Sequence, residues 1–245
     1  MSMAQLKVIG CGDAFGSGGR LNTCFHVTTE IARFLIDCGA SSLPGLKYYE
    51  IDVNDIDAIV ISHFHGDHYG GVPFLLLDAS VNGRTNKIQV ISPPGGKERI
   101  SALLDLLYPG TTVLEKLDIE FLEFTAGSRL KSKYFTVEAF EVIHSEKALP
   151  HGLRIEVEGK IIAYSGDTSW TDVLLPLSTG ADLFICECNF FSTQAKGHMN
   201  YLELEQHLPD FSCKQILLTH FDREMLANLE RLNIGYLTDG MEIRI

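Results

Sequence analysis

Three histidines and an aspartate fall within a run of six residues, at His63, His65, Asp67 and His68. Neutral imidazole nitrogens and carboxylate oxygens are good ligands for zinc and similar borderline metals. His63 and His65 are two residues apart in an extended segment, so both side chains can face one way and bind the same ion. Gly66 allows a sharp turn, after which Asp67 and His68 can point to a second ion. A one-metal site and a polar loop with coincidental histidines are the alternatives.

Three further residues of ligand type lie far from this run, at His144, Asp167 and His220, and each follows an apolar, β-branched segment. In open α/β sheets, ligands bind beyond the carboxyl ends of the strands. A single histidine after a strand is more often a hydrogen-bonding residue than a ligand, so each position alone is weak evidence. Together with the first run, the three positions indicate a metal centre.

Two polar residues are candidates for holding the first histidines in place. Metal-bound imidazoles usually donate their second N–H to an oxygen, and Ser62 and Asp37 could supply one. Asp37 has an equally good alternative role as a turn residue at the end of a strand. The apolar strand before His63 would fix the whole run on a rigid element, as a preorganised site requires.

The elements that would position these residues are short apolar strands that alternate with helical segments. The strand-like runs are Leu6–Ile9, Phe34–Ile36, Ala58–Ile61, Ile88–Ile91, Phe135–Val142, Leu153–Val157, Ile161–Tyr164, Leu183–Ile185 and Ile216–Leu218. The helical patterns are Gly71–Ala79, Lys97–Leu107, Thr171–Leu177, Tyr201–Leu208 and Arg223–Arg231. This alternation, with hairpins such as the tight turn expected at Glu158 and Gly159, indicates an α/β fold with a mixed sheet.

A weak internal similarity supports a site built from both halves of the chain. Residues 58–64 resemble residues 215–221, and both segments end in a histidine followed by phenylalanine. Two similar halves that face each other would bring these strand ends together.

Length and composition indicate one domain over residues 1–245, because 45% of the residues are hydrophobic and no linker or low-complexity stretch divides the chain. No run of about 18 uncharged apolar residues occurs, so no membrane span is expected. The first five residues lack a basic region followed by an apolar stretch and do not indicate a secretory signal. A cytoplasmic location is the default expectation.

Charge and cysteine usage exclude other classes. The formal net charge is −12, and lysines and arginines are scattered rather than gathered in the basic stripe that nucleic-acid binders usually carry. Large RNA is therefore not expected as the main partner, and a homodimer is left open. The six cysteines do not suggest a disulfide framework. Cys186 and Cys188 share one face of an apolar strand and are expected to be buried thiols, with a metal pair as the alternative.

The order of the ligand-type residues resembles that of the metallo-β-lactamase superfamily: His-x-His-x-Asp-His, then a single His, then Gly-Asp-Thr, then Leu-Thr-His. The resemblance extends from Leu6 to His220. It implies an αββα sandwich, in which two mixed β-sheets pack together with helices outside. It also implies two divalent ions, with zinc expected and manganese as the alternative.

Carried onto this sequence, the resemblance implies one ligand set for each ion, with Asp167 bridging the two. The first ion would have His63, His65, His144 and Asp167, and the second would have Asp67, His68, Asp167 and His220. His151 competes with His144 for the third position. The following Gly152–Arg154 resembles the family segment downstream of the third histidine, which favours His144.

Three segments are similar to the ribonuclease Z branch of this superfamily and its phosphodiesterase relatives. They are Gly10–Gly12 with Gly18–Asn22, Leu217–Arg223, and Glu187 followed by Gly197 and His198. The last resembles a His-Glu-Ala-Thr…Gly-His motif in which the glutamate orients a catalytic histidine, although only the glutamate of its first four residues is present here. The resemblance implies that His198 is a general acid held by Glu187. An exposed loop histidine is the alternative.

The resemblance also bears on the substrate. In tRNA-processing members, an arm that grips tRNA is inserted between the third histidine and the bridging aspartate. Here His144 and Asp167 are only 23 residues apart, and two strands with a tight turn fill the interval. With the acidic balance, this favours small substrates such as cyclic nucleotides and other cyclic or aryl phosphodiesters.

The expected reaction is phosphodiester hydrolysis by a hydroxide that bridges the two metals. Asp67 would orient the hydroxide, and His198 would protonate the leaving group. Three alternatives remain: a tRNA 3′-processing endonuclease of the ribonuclease Z type, a hydrolase of carboxylic esters, lactones, thioesters or β-lactams, and a non-enzymatic binding protein that kept the fold.

Overall fold

Residues 4–245, which the computed structural model describes, form two β-sheets that face each other with helices on both outer sides. The αββα sandwich of two mixed sheets is therefore confirmed. The prediction that the N-terminus is not a secretory signal rests partly on residues 1–3, which lie outside the described residues. No helix in the described range is both long and apolar enough to cross a membrane.

The first sheet has an antiparallel half and a parallel half. Its strands are β1 (Gln5–Gly10), β2 (Cys24–Thr28), β3 (Arg33–Ile36), β4 (Ala58–Val60), β5 (Ile88–Ser92), β6 (Ile119–Glu123) and β13 (Glu242–Arg244), in the order β13-β1-β2-β3-β4-β5-β6. β13, β1, β2 and β3 are antiparallel neighbours, and β3 to β6 run parallel. The parallel half brings the carboxyl ends of β3 and β4 to one edge, where Asp37 and His63 follow.

The second sheet is also mixed. Its strands are β7 (Arg129–Lys131), β8 (Thr136–Glu141), β9 (His151–Val157), β10 (Lys160–Tyr164), β11 (Leu183–Glu187) and β12 (Ile216–Thr219), in the order β12-β11-β10-β9-β8-β7. β10, β11 and β12 run parallel, and β7 to β10 are antiparallel neighbours. The three parallel strands end at one edge, where Asp167, Glu187 and His220 lie.

The space between the sheets is filled by apolar side chains from both. Phe25 and Val60 of the first sheet belong to the same buried cluster as Ile155 and Ile185 of the second. Each fully buried side chain of this size contributes about 1.5–3 kcal/mol relative to exposure. The interlayer core therefore fixes the relative position of the two sheets, and with it the edge where their strand ends meet.

Helices cover the outer faces of both sheets. α1 (Ser42–Tyr48), α3 (Val72–Val81), α4 (Gly96–Leu107) and α5 (Val113–Lys116) lie on the first sheet, and α6 (Leu174–Ser178), α7 (Tyr201–His207) and α8 (Arg223–Leu226) lie on the second. One further turn, α2 (Gly66–Tyr69), carries Asp67 and His68. The remaining helices thus cover the sheets, while α2 belongs to the site.

All nine strand-like runs of the sequence are strands, but two helices differ from their predicted bounds by three residues or more. The helix expected over Arg223–Arg231 ends at Leu226, because Asn228 donates its side-chain N–H to the carbonyl of Glu224 and closes the turn. The helix expected from Thr171 begins at Leu174, after a turn in which Leu174 N donates to Thr171 O.

Two local predictions are confirmed. Glu158 and Gly159 both have positive φ, 48° and 77°, as a two-residue hairpin turn requires. Cys186 and Cys188 are fully buried, and burial raises the pKa of both thiols well above its usual value. A thiol that keeps its proton is a poor metal ligand, so burial favours the packing role for both cysteines.

His26 on β2 makes the folded protein sensitive to acid. Its side chain is 7% exposed, and Nε2 is buried without a hydrogen-bond partner in the described range. Burial lowers its pKa from 6.5 to about 4, and the charges of Arg33 and Lys7 add to the effect. The folded protein keeps this imidazole neutral, whereas the unfolded chain protonates it. The free energy of unfolding therefore decreases as the pH falls from about 6.5 towards 4.

His26→Leu should remove this loss, because leucine has no proton to gain on unfolding. The free energy of unfolding of the variant minus that of wild type should be about 2–3 kcal/mol larger at pH 4.5 than at pH 7.5. Urea unfolding of both metal-free proteins at the two pH values measures the difference. Other titrating groups are common to both proteins and cancel. An equal stability gap at both pH values would contradict the assignment.

Candidate metal centre

Strand ends from both sheets converge on one site. The loop after β4 and the short helix α2 come from the first sheet, and the loops after β8, β10 and β12 come from the second. Together they carry His63, His65, Asp67, His68, His144, Asp167 and His220, which form two groups of four with Asp167 in both. Within each group the ligand-type atoms lie within 4.8 Å of one another. The structure thus brings together all seven residues that the sequence singled out.

The first group contains His63, His65, His144 and Asp167. His144 Nε2 lies 2.9 Å from His65 Nδ1. Asp167 Oδ2 lies 3.8 Å from His63 Nε2 and 3.9 Å from His144 Nε2. Three imidazoles and one carboxylate around a common point form a donor set suited to zinc.

The second group contains Asp67, His68, Asp167 and His220. His68 Nε2 lies 3.2 Å from Asp67 Oδ2 and 3.3 Å from Asp167 Oδ1. His220 Nε2 lies 3.2 Å from Asp67 Oδ2 and 3.4 Å from Asp167 Oδ2. His220 has φ 68°, a conformation that is costly for a residue with a Cβ. The fold therefore holds this histidine in place at the expense of local backbone strain.

Oxygens behind the histidines fix the orientation of their rings. His68 Nδ1 lies 2.7 Å from Asp37 Oδ2, and Asp37 also accepts hydrogen bonds from the N–H and hydroxyl of Ser62. Ser62 Oγ lies 3.0 Å from His63 Nδ1. His144 Nδ1 donates to Gly197 O at 2.6 Å. Each contact uses Nδ1 and leaves Nε2 directed into the centre, which is the arrangement that metal-bound histidines need.

The donor set fits two divalent cations. His63 Nε2, His68 Nε2 and Asp167 Oδ1 are buried and make no hydrogen bond to any other described residue. Their contacts to neighbouring ligand-type atoms, at 3.2–3.8 Å, lack hydrogen-bond geometry. Buried polar atoms without hydrogen bonds are costly, and a bound cation would satisfy them.

The charges of the buried carboxylates and histidines also favour bound cations. Burial disfavours charge on both Asp167 and His220, yet their attraction holds the pKa of Asp167 well below its usual range and raises that of His220 to about 9. Burial also disfavours charge on His68, but the negative charges of Asp167 and Asp67 outweigh this effect and raise the pKa of His68. Without metal, two protonated histidines thus neutralise two buried carboxylates. Metal binding would displace these protons and supply positive charge in their place.

Beside the second group, Glu187 and His198 form a close pair. Glu187 ends β11, is fully buried, and lies with Oε1 2.6 Å from His198 Nδ1. Its Oε2 accepts from Met199 N at 3.0 Å. Glu187, His198 and His220 also lie close enough to hold an ion. The hydrogen bond engages His198 Nδ1, so the pair that the sequence suggested is present and leaves His198 Nε2 for other partners.

Hydrogen bonds to two neighbouring segments hold the loop before His198 in place. Gly197 N donates to Ser169 Oγ at 2.8 Å. Farther along the loop, Ser192 donates to Glu224 Oε1 through both its N–H, at 3.1 Å, and its hydroxyl, at 2.6 Å. These contacts hold the Gly197 carbonyl against His144, so one loop positions both a ligand-type histidine and His198.

His151, the competitor for the third histidine, lies outside both groups of ligand-type residues. Its Nδ1 donates to Leu149 O at 2.8 Å, and its ring packs edge-on against Phe124. Among the described residues, the geometry therefore favours His144 over His151 for the metal centre.

The sequence did not reveal several residues that support the site. Tyr164 OH lies 3.5 Å from His68 Nδ1, and Ser165 Oγ accepts from Glu187 N at 2.8 Å. Ser169 and the Gly197 carbonyl also belong to this set. Hydroxyl and backbone groups carry no characteristic sequence signal, so only the run Ser165–Ser169 around the aspartate could have indicated them.

Comparison with known proteins agrees with this geometry. A family model described as anti-Pycsar protein Apyc1 matches residues 4–240. The probable metallo-hydrolase YhfI of Bacillus subtilis (strain 168) is 28% identical over 220 residues, which cover 88% of this chain and 86% of that protein. The crystal structure of YhfI, described as a metallo-β-lactamase fold protein, matches all of both chains with a TM-score of 0.84 at 24% identity.

Two proteins of lower sequence identity are similar over most of the chain. A ribonuclease Z of Clostridium acetobutylicum is 24% identical over 294 residues, covering 98% of this chain and 94% of that protein. A diphosphatase from the PhnP family has the same fold, with a TM-score of 0.78 at 18% identity and coverage of 99% of this chain and 98% of that one.

Proposed function

The chain belongs to the family of the anti-Pycsar protein Apyc1 and to the ribonuclease Z-like branch of the metallo-β-lactamase superfamily, and we propose that it is a dinuclear phosphodiesterase for small or cyclic phosphodiesters. It is a metal-dependent hydrolase. The proposal of phosphodiesterase activity rests on the hydrogen-bonded Glu187–His198 pair beside the second group of ligands. Esters with good leaving groups do not need such a pair, whereas an alkoxide that leaves phosphorus needs a proton.

Two divalent ions are proposed, one in each group of ligands, with Asp167 shared. Zinc is the preferred metal because five of the seven residues are histidines, and imidazole suits zinc better than it suits magnesium or calcium. When bound, such ions supply a nucleophile at neutral pH and neutralise charge that develops on the phosphate.

Residues of the chain would position the reactants around the ions. Asp67 lies between His68 and His220 and would orient the attacking water through its carboxylate. His198 Nδ1 donates to Glu187, so Nε2 would carry the proton for the leaving oxygen. Burial alone would lower the pKa of His198, but the hydrogen bond and charge of Glu187 outweigh it and raise this pKa above its usual value. The imidazole would therefore keep its proton near neutral pH.

The substrate is proposed to be small because the interval between His144 and Asp167 is filled by fold elements. Most of its residues form β9, the turn at Glu158 and Gly159, and β10 of the second sheet, and only a short loop over residues 145–150 precedes them. The alignment with the clostridial ribonuclease Z extends over 294 positions, more than the 245 residues of this chain, so that relative carries residues without a counterpart here. The net charge of −12 also disfavours a polyanion such as tRNA.

Metal-loaded protein should hydrolyse a generic phosphodiester such as bis(4-nitrophenyl) phosphate and leave pre-tRNA essentially uncut. The test measures both reactions with one preparation, beside cyclic nucleotides and a nitrophenyl carboxylic ester, and uses a ribonuclease Z as positive control for pre-tRNA. Efficient 3′ trimming of pre-tRNA would show that another surface grips tRNA and would overturn the substrate proposal. Hydrolysis of the carboxylic ester alone would instead favour the ester-hydrolase alternative.

A further inference from the structure

A cavity of about 870 Å³ adjoins the metal centre on the side of His144. This volume lies within the about 300–1,000 Å³ of typical small-molecule pockets. His144 lines the cavity, as does Lys196, which directly precedes Gly197 and His198 in the sequence. A phosphodiester whose phosphorus lies at the metal centre can therefore extend one substituent into this cavity.

The walls of the cavity suit a flat, uncharged group. Pro94, Ile143 and Pro150 contribute apolar surface, and Ile143 is 49% exposed although it is a large aliphatic side chain. An exposed aliphatic side chain in a concave site gains free energy when a ring covers it. The four charged side chains that line the cavity, Glu141, Glu146, Lys147 and Lys196, balance one another. The cavity is thus suited to a neutral ring rather than to a second phosphate.

One polar side chain of the cavity is both buried and fixed. His151 lines the cavity but is only 8% exposed. Its Nδ1 lies 2.8 Å from Leu149 O, and Phe124 packs against the ring at a centroid distance of 5.3 Å. Leu149 has φ 53°, a left-handed conformation that is costly for leucine. The ring is therefore held in one orientation by a strained turn and an aromatic neighbour.

This orientation determines the tautomer of His151. A carbonyl oxygen only accepts hydrogen bonds, so Nδ1 must carry the hydrogen that is donated to Leu149. Burial lowers the pKa of His151, which keeps the ring neutral at pH 7. Nε2 then carries a lone pair. It makes no hydrogen bond to any described residue, and the ring to which it belongs lines the cavity.

We propose that this cavity holds the organic part of the substrate and that His151 Nε2 accepts a hydrogen bond from an N–H group on a flat, uncharged ring. The proposal rests on the proposed phosphodiesterase function and adds a specificity-determining residue to it. The amino-bearing bases of nucleotides have the required chemistry, because their exocyclic amino group is a donor at the edge of a planar ring. His151 would thus select substrates by their organic substituent, while the metal centre acts on the phosphodiester common to all of them.

Two variants separate the two hydrogen bonds of His151. His151→Asn keeps an N–H near the position of Nδ1, so the bond to Leu149 can persist, but it has no atom at the position of Nε2. His151→Gln has the opposite pattern, because its amide reaches the position of Nε2. Rescue of selectivity by glutamine but not by asparagine would distinguish recognition through Nε2 from a structural role at Leu149.

The test compares kcat/KM for two matched pairs of substrates, 3′,5′-cyclic AMP with its N6,N6-dimethyl analogue and 3′,5′-cyclic CMP with its N4,N4-dimethyl analogue. For the pair that is hydrolysed faster, wild type should prefer the amino substrate about tenfold, as expected for one hydrogen bond lost in a pocket. The preference should fall to about one in His151→Asn and return in part in His151→Gln. Each ratio is internal to one variant, so a smaller folded fraction cancels.

An unchanged preference in His151→Asn would overturn the proposal, as would a wild type that hydrolyses both members of each pair equally. Hydrolysis of bis(4-nitrophenyl) phosphate by the same samples tests the proposed function separately. If wild type hydrolyses no phosphodiester, calorimetric binding of AMP and N6,N6-dimethyl-AMP to the metal-loaded protein takes the place of the rates. The same preference, lost in His151→Asn, would support the cavity as a ring-binding site, and equal binding would overturn it.

Discussion

Asp167→Ala should lose metal from both groups of ligands and reduce phosphodiester hydrolysis by about 10³-fold or more. The reason is the position of its two oxygens. Oδ2 lies 3.8 Å from His63 Nε2 in the first group and 3.4 Å from His220 Nε2 in the second, and Oδ1 lies 3.3 Å from His68 Nε2. Metal ions contribute several kcal/mol to such reactions, and each factor of ten in rate corresponds to about 1.4 kcal/mol.

Elemental analysis after reconstitution with zinc or manganese measures the effect, with two ions per chain expected in wild type. His144→Ala and His220→Ala are the matched controls, because each removes a ligand from one group only. Each control should keep the ion of the other group. A wild-type stoichiometry fixed at one or zero would contradict the dinuclear proposal, and full metal content in Asp167→Ala would show that this carboxylate is not shared. Circular dichroism checks that each variant is folded.

The strands that deliver the site could be predicted from the sequence because their signal is local. β4, β10 and β12 are short apolar, β-branched runs, and a polar residue of ligand type closely follows each of them. β4 and β10 are inner strands, and burial on both faces explains their apolar pattern. β12 is an edge strand of the second sheet, yet three of its four residues are buried. Asp167 and His220 lie at one edge because β10, β11 and β12 run parallel in the second sheet, and the packing of the two sheets brings His63 of the first sheet next to them.

Four strands were missed. β2 is a buried inner strand whose apolar run is interrupted by His26, and the other three carry weaker local signals. β6 is an edge strand of mostly half-buried residues, and β7 is an edge strand in which two of three residues are exposed. β13 is a three-residue edge strand that pairs with β1 from the far end of the chain. Their pairing is set by contacts between distant segments, which periodicity in a short window does not reveal. α1 was missed for a related reason, because its sequence contains Pro44 and Gly45 and its helix depends on packing against the first sheet.

The ligand-type residues were predictable, while their supporting contacts were not. Histidine and aspartate are uncommon at the ends of buried strands, so seven of them in one order form a pattern that a sequence can show. The Gly197 carbonyl and the hydroxyl of Ser169 act through positions that only the folded loop defines. For the same reason the cavity role of His151 could not be inferred from its position in the sequence, which suggested only competition with His144.

His198→Ala should keep both metals and reduce hydrolysis of unactivated phosphodiesters by about 10²–10⁴-fold, the usual contribution of a general acid. The seven ligand-type residues form two complete groups without His198, and its Nδ1 is engaged by Glu187 at 2.6 Å. The loss should be much smaller for bis(4-nitrophenyl) phosphate, because nitrophenolate leaves without a proton. Glu187→Gln should show a milder form of this pattern, since it keeps the imidazole but removes the charge that supports its proton.

The decisive measurement is metal content together with rates on an activated and an unactivated phosphodiester for wild type and both variants. The pattern depends on leaving-group basicity, so it separates proton donation from a structural role, which would lower both rates alike. If His198→Ala loses a metal, then the third possible group, with Glu187 and His220, is a real ligand set and His198 belongs to it. If both rates are unchanged, His198 is a loop histidine. The proposed phosphodiesterase function then loses the observation that distinguishes it from ester hydrolysis by the same metals.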